Sequence, residues 1–279
     1  MLKFLLVLIP SIFIMACSIP SQNNIRIYNL FIGTDGKSFE SNSLAIASGT
    51  DIDGDIFIYL NGNPISYYGG YGATLQINQW LVPQKNSITI KGLSTKDLFI
   101  KVAAFDHKRD NFEVIFKKHI KSGKINTSDY FHTDIDFKLP LFNSLIPNKR
   151  DQVEIEIIEK IKEIKNKIDK KQKDQIVHQL LVGASLWQPM AYKVNWSNNK
   201  KMFEDMVIDQ FFNSDRNIFD FDDREIKVVY GKNCVYVYSG VTKESAPEAY
   251  FFKINNNGKT EYVPAVKFFK YRDKWEIWQ

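Results

Sequence analysis

The chain has 279 residues, of which 44% are apolar and 25% charged, a balance that supports a sizeable core and excludes a disordered composition. Its formal charge of +5 is small and spread along the sequence, which excludes the clustered basic face of a nucleic-acid binder. The length allows one large domain or two ordinary ones.

Residues 1–17 read MLKFLLVLIPSIFIMAC. Lys3 supplies a positive start, and Phe4 to Ala16 form an apolar run interrupted by Pro10 and Ser11. A helix crossing a bilayer needs roughly 20 apolar residues. This run is shorter, and it has the length of the apolar region of an export signal. Its last residues, Ile14-Met15-Ala16-Cys17, place a branched apolar residue and a small residue before a cysteine. That string resembles the lipobox of bacterial lipoproteins. The resemblance implies cleavage after Ala16, a thioether-linked diacylglycerol on Cys17 and a further acyl chain, such as palmitate, on the new amino group. Each buried CH₂ contributes about 0.8 kcal/mol, so one chain anchors marginally and several anchor stably. Ser18 after the cysteine implies, by the same resemblance, an outer-membrane, periplasm-facing destination in a cell with two membranes. The alternatives are a cleaved signal with no lipid, or an uncleaved N-terminal anchor.

Two cysteines are present, Cys17 and Cys234. With Cys17 lipidated, Cys234 has no intrachain disulfide partner, and its place in the alternating run KNCVYVYSG predicts a buried core thiol. Residues 17–24 form a lipidated tether; Ser18 to Asn24 reaches about 25 Å when extended, which keeps the following module close to the membrane.

From 25 to 147 the pattern is β. IRIYNLFI, DIFIYLNG, TLQIN, NSITIKGL, LFIKVAAF, FEVIFKKHI and HTDIDFKL are short β-rich runs between turn clusters such as Asn61-Gly62-Asn63-Pro64 and Gly69-Gly70-Tyr71-Gly72. Seven strands at this spacing predict an antiparallel β-sandwich. Tyr59-Leu60-Asn61-Gly62 followed by TLQINQWLVPQKNSITIKGL resembles a pattern of galactose-binding-like sandwiches over about 35 residues. No sugar-binding residue carries over, and an immunoglobulin-like sandwich fits equally well.

A connector helix is expected within 148–174. Val153, Ile157, Ile161, Ile164 and Ile168 recur at spacings of four and three, and Glu156–Lys160 and Glu163–Lys167 are favourable i,i+4 pairs. The stripe packs on one of the modules; a coiled-coil dimer seam is the alternative. Residues 175–279 then read as an α+β module. Helices are expected from Gln175 to about Gln188, ending before Pro189, and from about Asn199 to Asn213. Antiparallel strands EIKVVYG, CVYVYSG, AYFFKIN, YVPAVKFFKY and WEIWQ follow, with turns at Asn255–Gly258 and Arg272–Lys274. Paired apolar neighbours, Phe251-Phe252 and Phe268-Phe269, demand a sheet covered on both faces or curled around its contents. Helices followed by a curved aromatic meander ending in Trp275-Glu276-Ile277 resemble the cystatin/NTF2-like α+β class, which implies a cone-shaped cavity. The expected fold class is therefore α+β: an N-terminal antiparallel β-sandwich, a connector helix, and C-terminal helices packed on a curved antiparallel sheet.

Local chemistry is sparse. His107, His119, His132 and His178 show no metal spacing. Asp51-Ile52-Asp53-Gly54-Asp55 is the most metal-like segment, since alternating carboxylates can converge on a hard cation such as Ca²⁺. Its glycine falls one place early for an EF-hand loop and Gly62 stands where the closing glutamate belongs, so an acidic turn feeding a strand is the preferred reading. Asp220, Asp222 and Asp223 form a second acidic turn. Gly183-Ala184-Ser185 lacks the second glycine of a nucleophile elbow and lies on a helix. Trp187, Tyr192, Trp196, Tyr236, Tyr238, Trp275 and Trp278 are expected as core or sheet face, with a ligand pocket as the alternative.

The sequence therefore points to a lipid-anchored envelope protein attached through Cys17. It is expected to act as a non-enzymatic protein- or glycan-binding module, with no cofactor, no resident metal beyond the calcium alternative at Asp51, Asp53 and Asp55, and no nucleic-acid partner. The competing expectations are an immunity lipoprotein against a toxin delivered to the periplasm, and an envelope hydrolase using a C-terminal cavity.

Overall fold

The computed structural model describes residues 26–36, 39, 54–68, 73–106, 111–212, 216–218, 225–241, 249–256 and 259–278. It is an α+β structure with three α-helices and four antiparallel sheets among these residues. No helix among them is long and apolar enough to cross a membrane.

Among the described residues the N-terminal half holds eight strands: β1 (Arg26–Gly33), β2 (Gly54–Leu60), β3 (Asn63–Tyr68), β4 (Ala73–Gln76), β5 (Gln84–Ser94), β6 (Leu98–Asp106), β7 (Asn111–Ile120) and β8 (Gly123–Thr133). They form two four-stranded sheets, ordered β4-β1-β6-β7 and β3-β2-β5-β8. Two of these strands differ from the sequence expectation. β3 begins at Asn63-Pro64, residues that read as turn; a proline survives there because β3 is an edge strand, where a missing N–H costs no ladder bond. β8 spans GKINTSDYFHT, and 134–139 form no strand, so the run HTDIDFKL contributes only its first two residues. The Asn61-Gly62 turn between β2 and β3 has positive φ at both positions (51° and 80°), which the twist of a tight hairpin requires and which glycine adopts freely.

Three helices follow: α1 (Arg150–Asp169), α2 (Lys173–Tyr192) and α3 (Trp196–Phe212). The α1 stripe Val153, Ile157, Ile161, Ile164 and Ile168 is buried against this chain's own core, so the coiled-coil alternative has no apolar stripe left to use. α2 runs through Pro189 and ends with Lys193 in the left-handed conformation. A proline inside a helix costs about 3 kcal/mol; burial of Trp187, Gln188, Ala191 and Tyr192 around it holds the last turn in place.

The remaining strands are β9 (Arg216–Ile218), β10 (Lys227–Tyr230), β11 (Val235–Tyr238), β12 (Gly240–Val241), β13 (Ala249–Asn256), β14 (Lys259–Pro264), β15 (Val266–Tyr271) and β16 (Lys274–Ile277). They pair as β10-β11-β15-β16 and as β12-β13-β14, with β9 also on β13. The run YVPAVKFFKY thus breaks at Ala265 into strands of different sheets. β11 is buried at every position, and Phe251, Phe252, Phe268 and Phe269 are all buried, as neighbours covered on both faces must be.

One buried cluster runs from Tyr28 through the α1 stripe to Trp278. Polar groups cross between the halves. Asn63, at the start of β3, is fully buried, and its Oδ1 accepts from the backbone N–H groups of Asn233 (2.7 Å) and Cys234 (3.2 Å). Asn63→Ala should lower the urea midpoint with little change in slope, because each buried N–H left without an acceptor costs about 1–3 kcal/mol. An unchanged midpoint would show that these hydrogen bonds do not bear on stability.

Candidate functional site

Strand alternation sends every second residue of β2, β5 and β8 away from the shared core. On β5 the outward residues are Lys85, Ser87, Thr89, Lys91 and Leu93; on β8 they are Lys124, Asn126, Ser128, Tyr130 and His132. Asp55, Phe57 and Tyr59 continue the face on β2, in register with Leu93, Lys91 and Thr89. Side-chain contacts cross the strands on this side. Lys85 Nζ lies 4.0 Å from the Tyr130 ring centre and Lys91 Nζ 5.1 Å from that of Tyr59. Thr89 Oγ1 and Ser128 Oγ are 2.8 Å apart. Tyr130 is 56% exposed, well above what a packing role needs. Among the described residues the face therefore carries Lys85, Lys91 and Lys124 against the one carboxylate of Asp55.

One end of this face runs into an aromatic group. Phe57 meets Tyr67 of β3 at 5.1 Å between ring centres and Tyr236 of β11 at 6.0 Å, and Tyr67 stacks on Tyr238 at 6.2 Å. Tyr67 donates its hydroxyl to Asp55 Oδ1. Burial, then that hydrogen bond to a carboxylate, pushes the Tyr67 phenol well above its ordinary range. Lys227 Nζ lies 5.6 Å from the Tyr238 ring centre.

On β15, the side chain of Lys267 is buried, with Nζ 5.4 Å from the ring centre of Tyr236 and 6.0 Å from that of Trp80. Desolvation lowers its pKa to about 8, partly opposed by the nearby Cys234 sulfur. The Cys234 thiol, just before β11, is fully buried and pushed up to about 12 by the same cause, so it sits as an inert core thiol.

Cys17, Asp51 and Asp53, together with His107 and the Asp220–Asp223 turn, lie outside the described residues. Asp55 is described, and its Oδ1 is occupied by the Tyr67 hydroxyl. Among the described residues no group of three His, Cys, Asp or Glu side chains is placed to hold a metal. His119 stacks on Phe99 (4.6 Å) with Nε2 2.7 Å from Asp97 Oδ2. Asp97 also accepts from the Ser122 N–H and Lys121 Nζ, and the backbone bond, first among these, holds its carboxyl far below the usual range. These partners tie the β5–β6 and β7–β8 turns together. His132 is on the outward face and His178 is exposed on α2. Ser185 Oγ donates its proton back to the Val182 carbonyl, a helix-internal bond.

The C-terminal aromatics are knitted into the core. Trp187 Nε1 donates to the Trp278 carbonyl (3.0 Å), Trp275 Nε1 to Glu156 Oε2 (2.6 Å), and Trp278 packs on Trp80 and Phe269. Glu156 thus serves Trp275 and Lys270 (3.1 Å), not Lys160 as its helical spacing predicts, while the Glu163–Lys167 pair forms. The outward face itself is hard to see in the sequence. Its signal on β5 lies in the alternation of Ser87, Thr89 and Lys91, but β8, which supplies the other half, is too polar to read as a strand. No family model, curated protein or solved structure matches the chain, so its site is read from its own geometry.

Proposed function

We propose that the chain is a lipid-anchored envelope protein of a bacterium, fastened through Cys17, that binds a protein or glycan partner outside the cytoplasm. The observation that carries the binding role is the outward face of β2, β5 and β8, where Tyr59 and Tyr130, each beneath a lysine, stand among the polar side chains of Thr89, Asn126 and Ser128. Tyr130 is exposed and Tyr59 half-buried, and rings bordered by hydrogen-bonding groups present the amphipathic surface from which contacts are built. The two N-terminal sheets close around a common core as a β-sandwich, and residues 18–24 keep that sandwich near the membrane. The anchor rests on the Ile14-Met15-Ala16-Cys17 string and on the apolar run before it.

Cells expressing the wild-type chain should incorporate an alkyne fatty acid into the protein and hold it in the membrane fraction. Cys17→Ala should abolish the label and release the chain. Labelling that persists in the variant would remove the anchor from the proposal.

A further inference from the structure

We propose that the outward face of β2, β5 and β8 takes an anionic polysaccharide, with sugar rings on Tyr59 and Tyr130 and acid groups on Lys85, Lys91 and Lys124. This rests on the binding role just proposed and names its ligand class.

Charge decides the sign of the ligand. Lys91 and Lys124 stand on diagonal positions of the β5–β8 pair, Lys85 lies beside Tyr130 about 20 Å further along β5, and the carboxylate on the described part of the face, Asp55, already accepts from Tyr67. A ligand without negative charge leaves the lysines uncompensated as it displaces their water; an acidic one is drawn in. The rings decide the shape. Tyr130 is in register with Ser87, one diagonal step from the Thr89–Tyr59 pair, so the two tyrosine backbones stand about 12 Å apart from strand spacing and rise. Thr89 and Ser128 lie between them, with Asn126 beside Lys91 across the β5–β8 pair. Sugars present C–H faces that stack on aromatic rings and hydroxyl groups that bond to hydroxyl and amide side chains. Alternating rings and small polar groups match a chain that alternates in the same way.

The lysines and rings also work together. In the free protein the Lys85 and Lys91 ammonium groups sit above the Tyr130 and Tyr59 rings as exposed cation–π contacts. An incoming acid group pulls the ammonium to itself and uncovers the ring for the sugar. An acidic peptide is the rival with the same charge, but peptides gain most from pairing with a free strand edge. β2 and β5 are interior strands paired on both sides and offer side chains alone; β8, which carries Tyr130, is the edge strand, and the poly-glutamate arm below tests pairing there.

The test uses the full chain in gel retardation against a polyuronide, a neutral dextran and poly-glutamate, with Tyr130→Ala, Lys91→Gln and Lys85→Gln variants. The wild type should be retarded by the polyuronide, less so as salt rises, and not by dextran or poly-glutamate; each variant should lose at least about tenfold in affinity, consistent with one well-used contact of about 1.4 kcal/mol. Retardation by dextran equal to that by the polyuronide overturns the charge argument. Retardation by poly-glutamate alone, lost in the variants, overturns the glycan but leaves a binding face. Binding undiminished in all three variants, or no binding to either acidic polymer, overturns the inference. In the undiminished case the face itself is also removed from the proposed function, whereas the Cys17 anchor is tested separately by its fatty-acid label.

Discussion

Lys267→Met stabilises the protein by about 2 kcal/mol at pH 7. The native side chain is 9% exposed, and among the described residues its ammonium meets no ion pair or hydrogen bond, only the ring faces of Trp80 and Tyr236. Desolvation brings its pKa from 10.5 to about 8, and at 1.36 kcal/mol per pKa unit the charged form costs about 3 kcal/mol in the folded state. The cation–π attraction to the two rings, absent from the variant, offsets about 1 kcal/mol of that cost in the wild type. Methionine fills a similar volume without a charge. The pH dependence separates this account from simple repacking. Because the folded pKa lies below the unfolded one, the unfolded chain holds the extra proton between pH 8 and 10.5, so stability rises with pH across that window. Cys234 works in the opposite sense: its thiol is held up to about 12, so stability is lost as pH rises from about 9, where the unfolded thiol begins to ionise. The wild type should therefore gain stability between pH 8 and 9, at a slope of up to about 1.4 kcal/mol per unit, and level off above that. The methionine variant should start higher and show no such rise. Urea melts of both proteins at pH 7, 8 and 9 measure this. A less stable variant, or two parallel pH profiles, would show that the ammonium is solvated after all.

Local periodicity is readable wherever an element carries its own pattern. The α1 stripe announces both a helix and its buried face, and it is buried at all five positions. Asn61-Gly62 and Arg272-Asp273 mark tight hairpins because the turn geometry demands positive φ, and both pairs have it. The adjacent phenylalanines of β13 and β15 require cover on two faces, and they have it. What stays hidden depends on pairing between distant segments. β8 alternates around Ile125 and Phe131 with polar residues elsewhere, so its strand character comes from the eleven-residue register with β5 and not from its own composition. The same pairing assembles the outward face, since Tyr130 and Lys85 meet only once β5 and β8 are neighbours. Burial of a lysine at 267 is likewise a product of neighbouring strands and a tryptophan closing around it. Pro189 misleads in the other direction: tertiary packing of Ala191 and Tyr192 carries α2 past a residue that ends most helices.

Gly183 is another position whose role emerges only in three dimensions. In sequence it begins an incomplete nucleophile-elbow string; in the fold it is where α2 presses against the C-terminal strand. A Cβ built there would lie 2.4 Å from the Trp278 carbonyl oxygen, 2.5 Å from the Ile277 carbonyl oxygen and 2.5 Å from Trp278 Cα. All three are backbone atoms that cannot rotate aside. In an exposed helix, replacing glycine with alanine gains about 1 kcal/mol of helix propensity. Here the methyl group must push α2 away from β16, and overpacking of this kind costs about 1–3 kcal/mol or more. The displacement has further consequences, because α2 is tied down at several places. Trp187 Nε1 donates to the same Trp278 carbonyl at 3.0 Å. Tyr192 Oη donates to Gln79 Oε1 at 2.9 Å, and Asn78 Nδ2 to the Ala191 carbonyl at 3.2 Å, which fastens the end of the helix to the N-terminal half. A shift of α2 therefore stretches buried hydrogen bonds as well as packing, and Gly183→Ala should lose about 2–4 kcal/mol in total. Gly183→Ser, slightly larger and polar, should lose more. Chemical unfolding of the two variants beside the wild type, with the tryptophan near-ultraviolet signal as the probe of Trp187 and Trp278, makes the comparison. Alanine that leaves stability unchanged or raises it would mean that α2 does not approach β16 this closely.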